Sequence, residues 1–192
     1  MRPDLDDALV RDFPALYRER HGDSSETRMC HGFPGDGWEA LIRRMSEKVE
    51  PFCVATDLRC AQIKEKGALL RVYLHSSGLV PHEVRAAVGE AVAESKRTCE
   101  GCAVPGQPRR LRWRRTLCEN CAQFAEEFER RRFERTPVDE QWPEPFQGEF
   151  GRILTFEDAL RRWRSSAGEK GTIRRHLDVV RAPSTPRPRR RL

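Results

Sequence analysis

TCEGCAVPGQPRRLRWRRTLCENC, residues 98–121, holds four of the chain's seven cysteines in two Cys-x-x-Cys pairs with a basic stretch between them. Two residues separate Cys99 from Cys102, fifteen separate Cys102 from Cys118, and two separate Cys118 from Cys121. That spacing lies within the range of four-cysteine zinc sites. The reason is geometric: a two-residue step lets both sulfurs of a pair reach one ion at about 2.3 Å, and a tetrahedron needs two such pairs face to face. Fifteen residues suffice for a loop or hairpin to bring them together. The second pair is expected at the start of a helix, where the dipole favours thiolates. The pattern therefore predicts a zinc ribbon or treble-clef arrangement with Zn2+ as a structural cofactor. Four thiolates would fill the coordination shell and leave no position for an activated water. The competing assignment, two redox Cys-x-x-Cys pairs, lacks a thioredoxin-like setting on either side.

Between the pairs stand Arg109, Arg110, Arg112, Arg114 and Arg115 around Trp113, with no acid from Ala103 to Leu117. Arginine forks bind phosphate bidentately and an indole stacks on a base, so this segment is a candidate DNA or RNA surface. The alternative is structural: in a strand, Leu111 and Trp113 would face the core while Arg112 and Arg114 stay in solvent.

The chain as a whole is polar for its 192 residues, with 38% hydrophobic against 34% charged residues and a mean hydropathy of -0.75. That composition predicts one ordinary core and some unpacked chain. The net charge of +6 is not spread evenly. Residues 168–192 carry eight basic and two acidic side chains, and removing them from the 36 basic and 30 acidic residues leaves 28 of each. Phosphate attraction must then come from the inter-cysteine segment and from the tail, whose Arg187, Arg189, Arg190 and Arg191 would add salt-sensitive, non-specific affinity. No run of about eighteen apolar residues and no basic-then-apolar leader is found, which predicts a cytoplasmic protein with no membrane partner. In that reducing compartment cysteines read as thiols or metal ligands.

Outward from the cysteines, the sequence predicts an α+β domain over 1–135 that includes the zinc element 98–123. A helix is expected in FPALYRER, with Pro14 in its first turn. A stronger one spans 37–50, where Trp38, Leu41, Ile42, Met45 and Val49 recur at helical spacing behind an Asp36/Glu39 capping pattern. A hairpin follows over 59–78: Ala61 and Ile63 alternate, Lys66-Gly67 turns, and Leu70, Val72 and Leu74 alternate again. Val84, Val88, Ala91 and Val92 mark the next helix, and Ala122, Ala125 and Phe128 another. Residues 136–152 read as a Pro-rich linker or extended C-terminal arm, 153–167 as a short amphipathic helix capped by Thr155 and Asp158, and 168–192 as a basic disordered tail. Cys53 and Cys60 are expected as small buried hydrophobes. Cys30, His31 and His21 match no metal spacing. No phosphate-binding glycine loop, nucleophile elbow or HExxH helix is present, so no catalytic residue is assigned.

FPALY, GDGW, QIKEK leading to LRVY, TCEGC and TLCENC occur here in the order seen in a family of small phage and prophage proteins, which residues 10–125 resemble. In that family a Gly-Asp-Gly-Trp turn opens a helix, a Lys-Glu-Lys…Leu-Arg-x-Tyr segment forms a hairpin, and a four-cysteine element closes the domain. This chain departs from it at Gly67-Ala68, where the family has Phe-Gly, which leaves the hairpin register open. The resemblance implies a phage or prophage setting in a bacterial host cell and assigns no activity. Two functions remain: a zinc-stapled accessory protein that binds nucleic acid, and a protein that docks on a host or defence protein through Trp142, Phe146, Phe150 or the Trp163 helix.

Overall fold

A computed structural model describes residues 1–133 and 155–170, with side chains described for 1–130 and 155–165. Among the described residues the architecture is α+β, with five α-helices and two two-stranded antiparallel sheets, and the buried side chains gather into two clusters. Among the described residues no helix is long and apolar enough to cross a membrane.

The first cluster is built by α1 (Pro3–Asp12), α2 (Glu39–Ala55), the hairpin β1–β2 (Arg59–Glu65, Leu70–His75) and α3 (His82–Ser95). Pro3 occupies the first helical turn of α1, and Asp4 and Asp6 lie there too, against the positive end of the dipole. The helix expected over 13–20 is instead a run of turns. Its backbone is claimed by distant partners: the Glu50 carboxylate accepts the N–H groups of Ala15 and Leu16, at 2.9 and 2.8 Å, and the Leu16 carbonyl accepts the N–H of Cys60. Trp38, Leu41, Ile42, Met45 and Val49 are all buried, as their spacing predicts, and α2 runs on through Pro51 to bury Cys53. Burying each such large side chain stabilises the fold by about 1.5–3 kcal/mol. Tyr17 lies in the same cluster with its hydroxyl 2.6 Å from Ser46 Oγ, so its one polar atom is satisfied.

Asp36 does not cap α2. It begins a 3-10 turn, Asp36–Trp38, and its carboxylate accepts the N–H of Arg2 at 2.7 Å, tying the start of α1 to the start of α2. In the hairpin, a bulge between Cys60 and Gln62 puts Cys60 and Ile63 inward in place of the expected Ala61 and Ile63 pair. The turn is Gly67-Ala68, not Lys66-Gly67: both residues have positive φ, 66° and 69°, and the N–H of Lys66 reaches the Leu69 carbonyl. Burial pushes the Cys53 thiol up to about 11 and that of Cys60 up to about 12, which fits inert core residues.

The second cluster comprises β3 (Gln107–Arg109), β4 (Arg115–Leu117), α4 (Glu119–Phe133) and α5 (Phe156–Lys170). Ala122, Phe124, Ala125 and Phe128 of α4 meet Phe156, Leu160 and Trp163 of α5. Ring centroids of Phe124 and Trp163 are 5.1 Å apart, and those of Phe128 and Phe156 are 5.6 Å apart, edge to face. The cap on α5 is as predicted, since Asp158 N–H donates to Thr155 Oγ1 at 3.2 Å and that hydroxyl donates to the Asp158 carboxylate. The predicted 136–152 linker lies outside the described residues, as does the tail apart from helical backbone to Lys170.

Candidate metal centre

The first cysteine pair sits on a tight turn after α3. The N–H groups of Cys102 and Ala103 donate to the Cys99 carbonyl, and the Cys99 N–H donates to the Val104 carbonyl. Ala103 adopts φ +65°, in the left-handed region, which lets the turn fold back on itself. Strands β3 and β4 then pair in the register Gln107↔Leu117 and return the chain, so that Cys118 immediately precedes α4 and Cys121 falls in its first turn. This is the arrangement predicted from spacing: knuckle, hairpin, helix N-terminus.

The four Sγ atoms lie within 4.8 Å of one another, and those of Cys102 and Cys118 are 3.6 Å apart. A tetrahedron with metal–sulfur bonds of about 2.3 Å has edges of about 3.8 Å, so the cluster has the dimensions of a four-thiolate metal site. Cys99 and Cys121 are buried and Cys102 and Cys118 half-buried. Hydrogen bonds from the Cys121 and Cys99 thiols hold Cys102 far below the ordinary thiol range, while Cys99 is pushed up to about 12 by its bond to Cys102. Binding a cation there would require the remaining thiols to lose their protons.

Two surfaces clamp the knuckle. On one side lies the GDGW loop. The Gly37 N–H donates to the Glu100 carbonyl at 2.7 Å, and the buried Trp38 indole donates to the Thr98 carbonyl at 2.8 Å. A Cβ at Gly37 would lie 2.1 Å from the Cys99 oxygen, and one at Gly35 would lie 2.3 Å from the Glu100 oxygen. These glycines permit backbone to rest directly on backbone. On the other side is α5, where Leu160 covers Gly101 so closely that a Cβ there would sit 2.6 Å from its Cδ2, and Arg164 donates to the Gly101 carbonyl.

Glu100, between the first two cysteines, is 1% exposed. One of its carboxylate oxygens pairs with Arg115, which also donates to Glu157 of α5 at 3.1 Å and lies 4.2 Å from the Phe156 ring centroid. Burial pushes the Glu100 carboxyl up to about 7 against the pull of Arg115.

This pairing corrects the assignment of Arg115 as a phosphate contact: it is an internal strut between knuckle and α5. Arg109 is also engaged, donating to Glu119 at 2.9 Å and to the Leu117 carbonyl. Arg110, Arg112, Trp113 and Arg114 remain exposed at the hairpin tip, Trp113 by 51%. The strands end at Arg109 and resume at Arg115, so the expected strand alternation fails there; Leu111 is half-buried but Trp113 faces outward. The Glu129 carboxylate accepts the backbone N–H groups of Arg112 and Trp113, fixing the tip against α4. The Arg112 guanidinium lies 5.9 Å from the Trp113 ring centroid.

Arg187, Arg189, Arg190 and Arg191 lie outside the described residues, with Trp142, Phe146 and Phe150. Trp163 is buried at 8% exposure against Phe124 of α4. Among the described residues the four cysteines are the only metal-ligating group, and Cys30 with His31 does not form a second one. Sequence reasoning missed Gly37, Glu100 and Arg115 as supports of the site; a carboxylate inside a Cys-x-x-Cys pair beside an acid-free basic run was the available signal for the last two. No family model matches this chain, and no curated protein or solved structure is significantly similar to it.

Proposed function

We propose that the four cysteines hold a structural zinc ion and that the protein is a phage- or prophage-type accessory factor that binds nucleic acid through the tip of the β3–β4 hairpin. The observation that carries the second part is the exposed tip itself. Three arginines and a half-exposed tryptophan occupy five consecutive positions on a loop anchored at both ends. An indole flanked by guanidinium groups suits stacking on a base beside phosphates. Four cysteines leave zinc no open position, so the metal's part is to fix the hairpin against α4.

Changing Arg110, Arg112 and Arg114 together to Glu tests this. Titration of wild type and mutant against a duplex and a single strand at two salt concentrations should show weaker binding. The log–log salt slope should be shallower by roughly 0.7–0.9 for each lost phosphate contact. Zinc content, about one ion per chain by elemental analysis, should be unchanged. Identical curves would leave the docking of a protein partner as the better account of the tip.

A further inference from the structure

The hairpin β1–β2 has one face on the first cluster and one in water. Its register sets Gln62 opposite Tyr73 and Lys64 opposite Arg71, and these four alternate with Ile63, Leu70 and Val72, which turn to the core. The outward face therefore carries a ring, an amide and two cations. No carboxylate stands among them. Glu65 lies across from Leu70, one step out of phase with that face, and accepts the N–H of Ala68 at 2.6 Å. In the next row Arg59 stands opposite His75, and its charge is already paired with Glu19. Asp57, just before the strand, accepts the N–H of Ser77 at 2.8 Å.

The face is electrostatically incomplete. Like charges directly opposite one another destabilise an antiparallel pair. Lys64 and Arg71 nevertheless face each other, and among the described residues neither has an acidic partner within ion-pair distance. Arg71 is exposed, and the Lys64 ammonium sits 5.3 Å from the Tyr73 ring centroid. Tyr73 itself is 44% exposed. Whatever completes this surface has to bring negative charge to the two cations and a flat group to the ring beside them.

We propose that the outward face of β1–β2 binds single-stranded nucleic acid: one base stacks on Tyr73, Gln62 bonds to its edge, and the flanking phosphates pair with Lys64 and Arg71. Aromatic rings on a sheet stack unpaired bases, and every base offers a π-face. A duplex keeps its bases stacked on one another and would present only phosphates. An acidic peptide would satisfy the cations but leave the ring and the amide unused. The ammonium over the ring is no obstacle, because an exposed cation–π contact is weaker than the stacking of a base. Lys64 moves from ring to phosphate as the base arrives. The proposal extends the nucleic-acid reading to a second surface, which shares no residue with the β3–β4 tip.

The test uses the full zinc-loaded chain and a short fluorescein-labelled oligothymidylate, followed by anisotropy at two salt concentrations. Each variant is made both in the wild type and in the tip variant with Arg110, Arg112 and Arg114 changed to Glu. Tyr73→Ala should weaken binding about tenfold in both, and Tyr73→Phe should retain wild-type affinity, since stacking needs the ring and not the hydroxyl. Lys64→Gln with Arg71→Gln should make the log–log salt slope shallower by about 1.4, or 0.7 for each phosphate contact. Lys96→Gln, at the end of α3, is the control and should change neither. A duplex of the same length should be insensitive to Tyr73→Ala. Equal affinity of wild type and Tyr73→Ala for the single strand, or an equal loss in Lys96→Gln, overturns the proposal. Displacement of the oligonucleotide by polyglutamate of equal charge, at equal or lower concentration, overturns it in favour of an acidic protein partner. A Tyr73 effect that persists in the tip variant upholds this surface even where the tip proves inert, and a tip effect without a Tyr73 effect leaves the earlier proposal standing and removes this one.

Discussion

The two buried clusters differ in what they are made of. Between Leu9 and Ala91 the first gathers Trp38, Tyr17, Leu16, Ile42, Met45, Val49, Leu58 and Leu70 from α2, strand β2 and the turns and loops around them. Among the described residues between Cys99 and Trp163 the second buries two leucines, Leu117 and Leu160, and otherwise relies on alanines, four aromatic rings and cysteine sulfur. Apolar burial on the scale of the first is enough for a small domain, whereas a cluster as thin as the second falls in the range where metals or cross-links complete the fold. If the cysteines hold zinc as proposed, one chain uses two sources of stability, and the GDGW loop joins them.

Removing the metal should separate these sources most sharply. Cys118→Ser, or a chelator, should abolish amide protection in the knuckle, β3, β4 and α4 while protection in α2 persists, since structural zinc contributes on the order of 10 kcal/mol in small domains. Simultaneous loss of protection in both clusters would mean that they form one cooperative unit. Trp163→Ala comes next, at about 3–5 kcal/mol of urea-measured stability, because it empties the contact between α5 and Phe124. Its effect should be confined to the second cluster. Gly37→Ala attacks the joint itself: with a methyl carbon 2.1 Å from the Cys99 oxygen, the loop must lift, at a cost of about 3 kcal/mol and with weaker zinc retention in chelator competition. Retention of zinc at wild-type strength would show that the knuckle does not lean on the first core. The smallest change has the opposite sign. Ala103→Gly relieves the left-handed backbone of the knuckle and should raise stability by about 1 kcal/mol in thermal melts.

Periodicity and spacing made much of this legible. The stripe Trp38 to Val49, the cap at Thr155 and the cysteine intervals each depend on residues close in sequence, and each is present as expected. The failures share a cause. FPALYRER carries a helix signal, but Glu50, more than thirty residues away, takes its N–H groups. Asp36 looks like a cap until Arg2 claims it. Arg115 belongs to a run of like residues, and only the fold reveals that Glu100 and Glu157 turn it inward while its neighbours at the tip stay outside. Local pattern cannot register a competitor supplied by tertiary structure.

The hydrogen bond from Trp38 to Thr98 spans sixty positions of sequence. At ribosomal rates of roughly 5–20 residues per second, an indole that ends fully buried must wait about 3–12 s after its own synthesis before its acceptor is even made. The residues that bury the ring, from Leu9 to Ala91, are all made before Thr98, so the indole N–H is the last part of Trp38 to find its partner. The first core can therefore close around the ring before the cysteine knuckle exists, and the bond to Thr98 then fastens the second cluster onto a surface already in place.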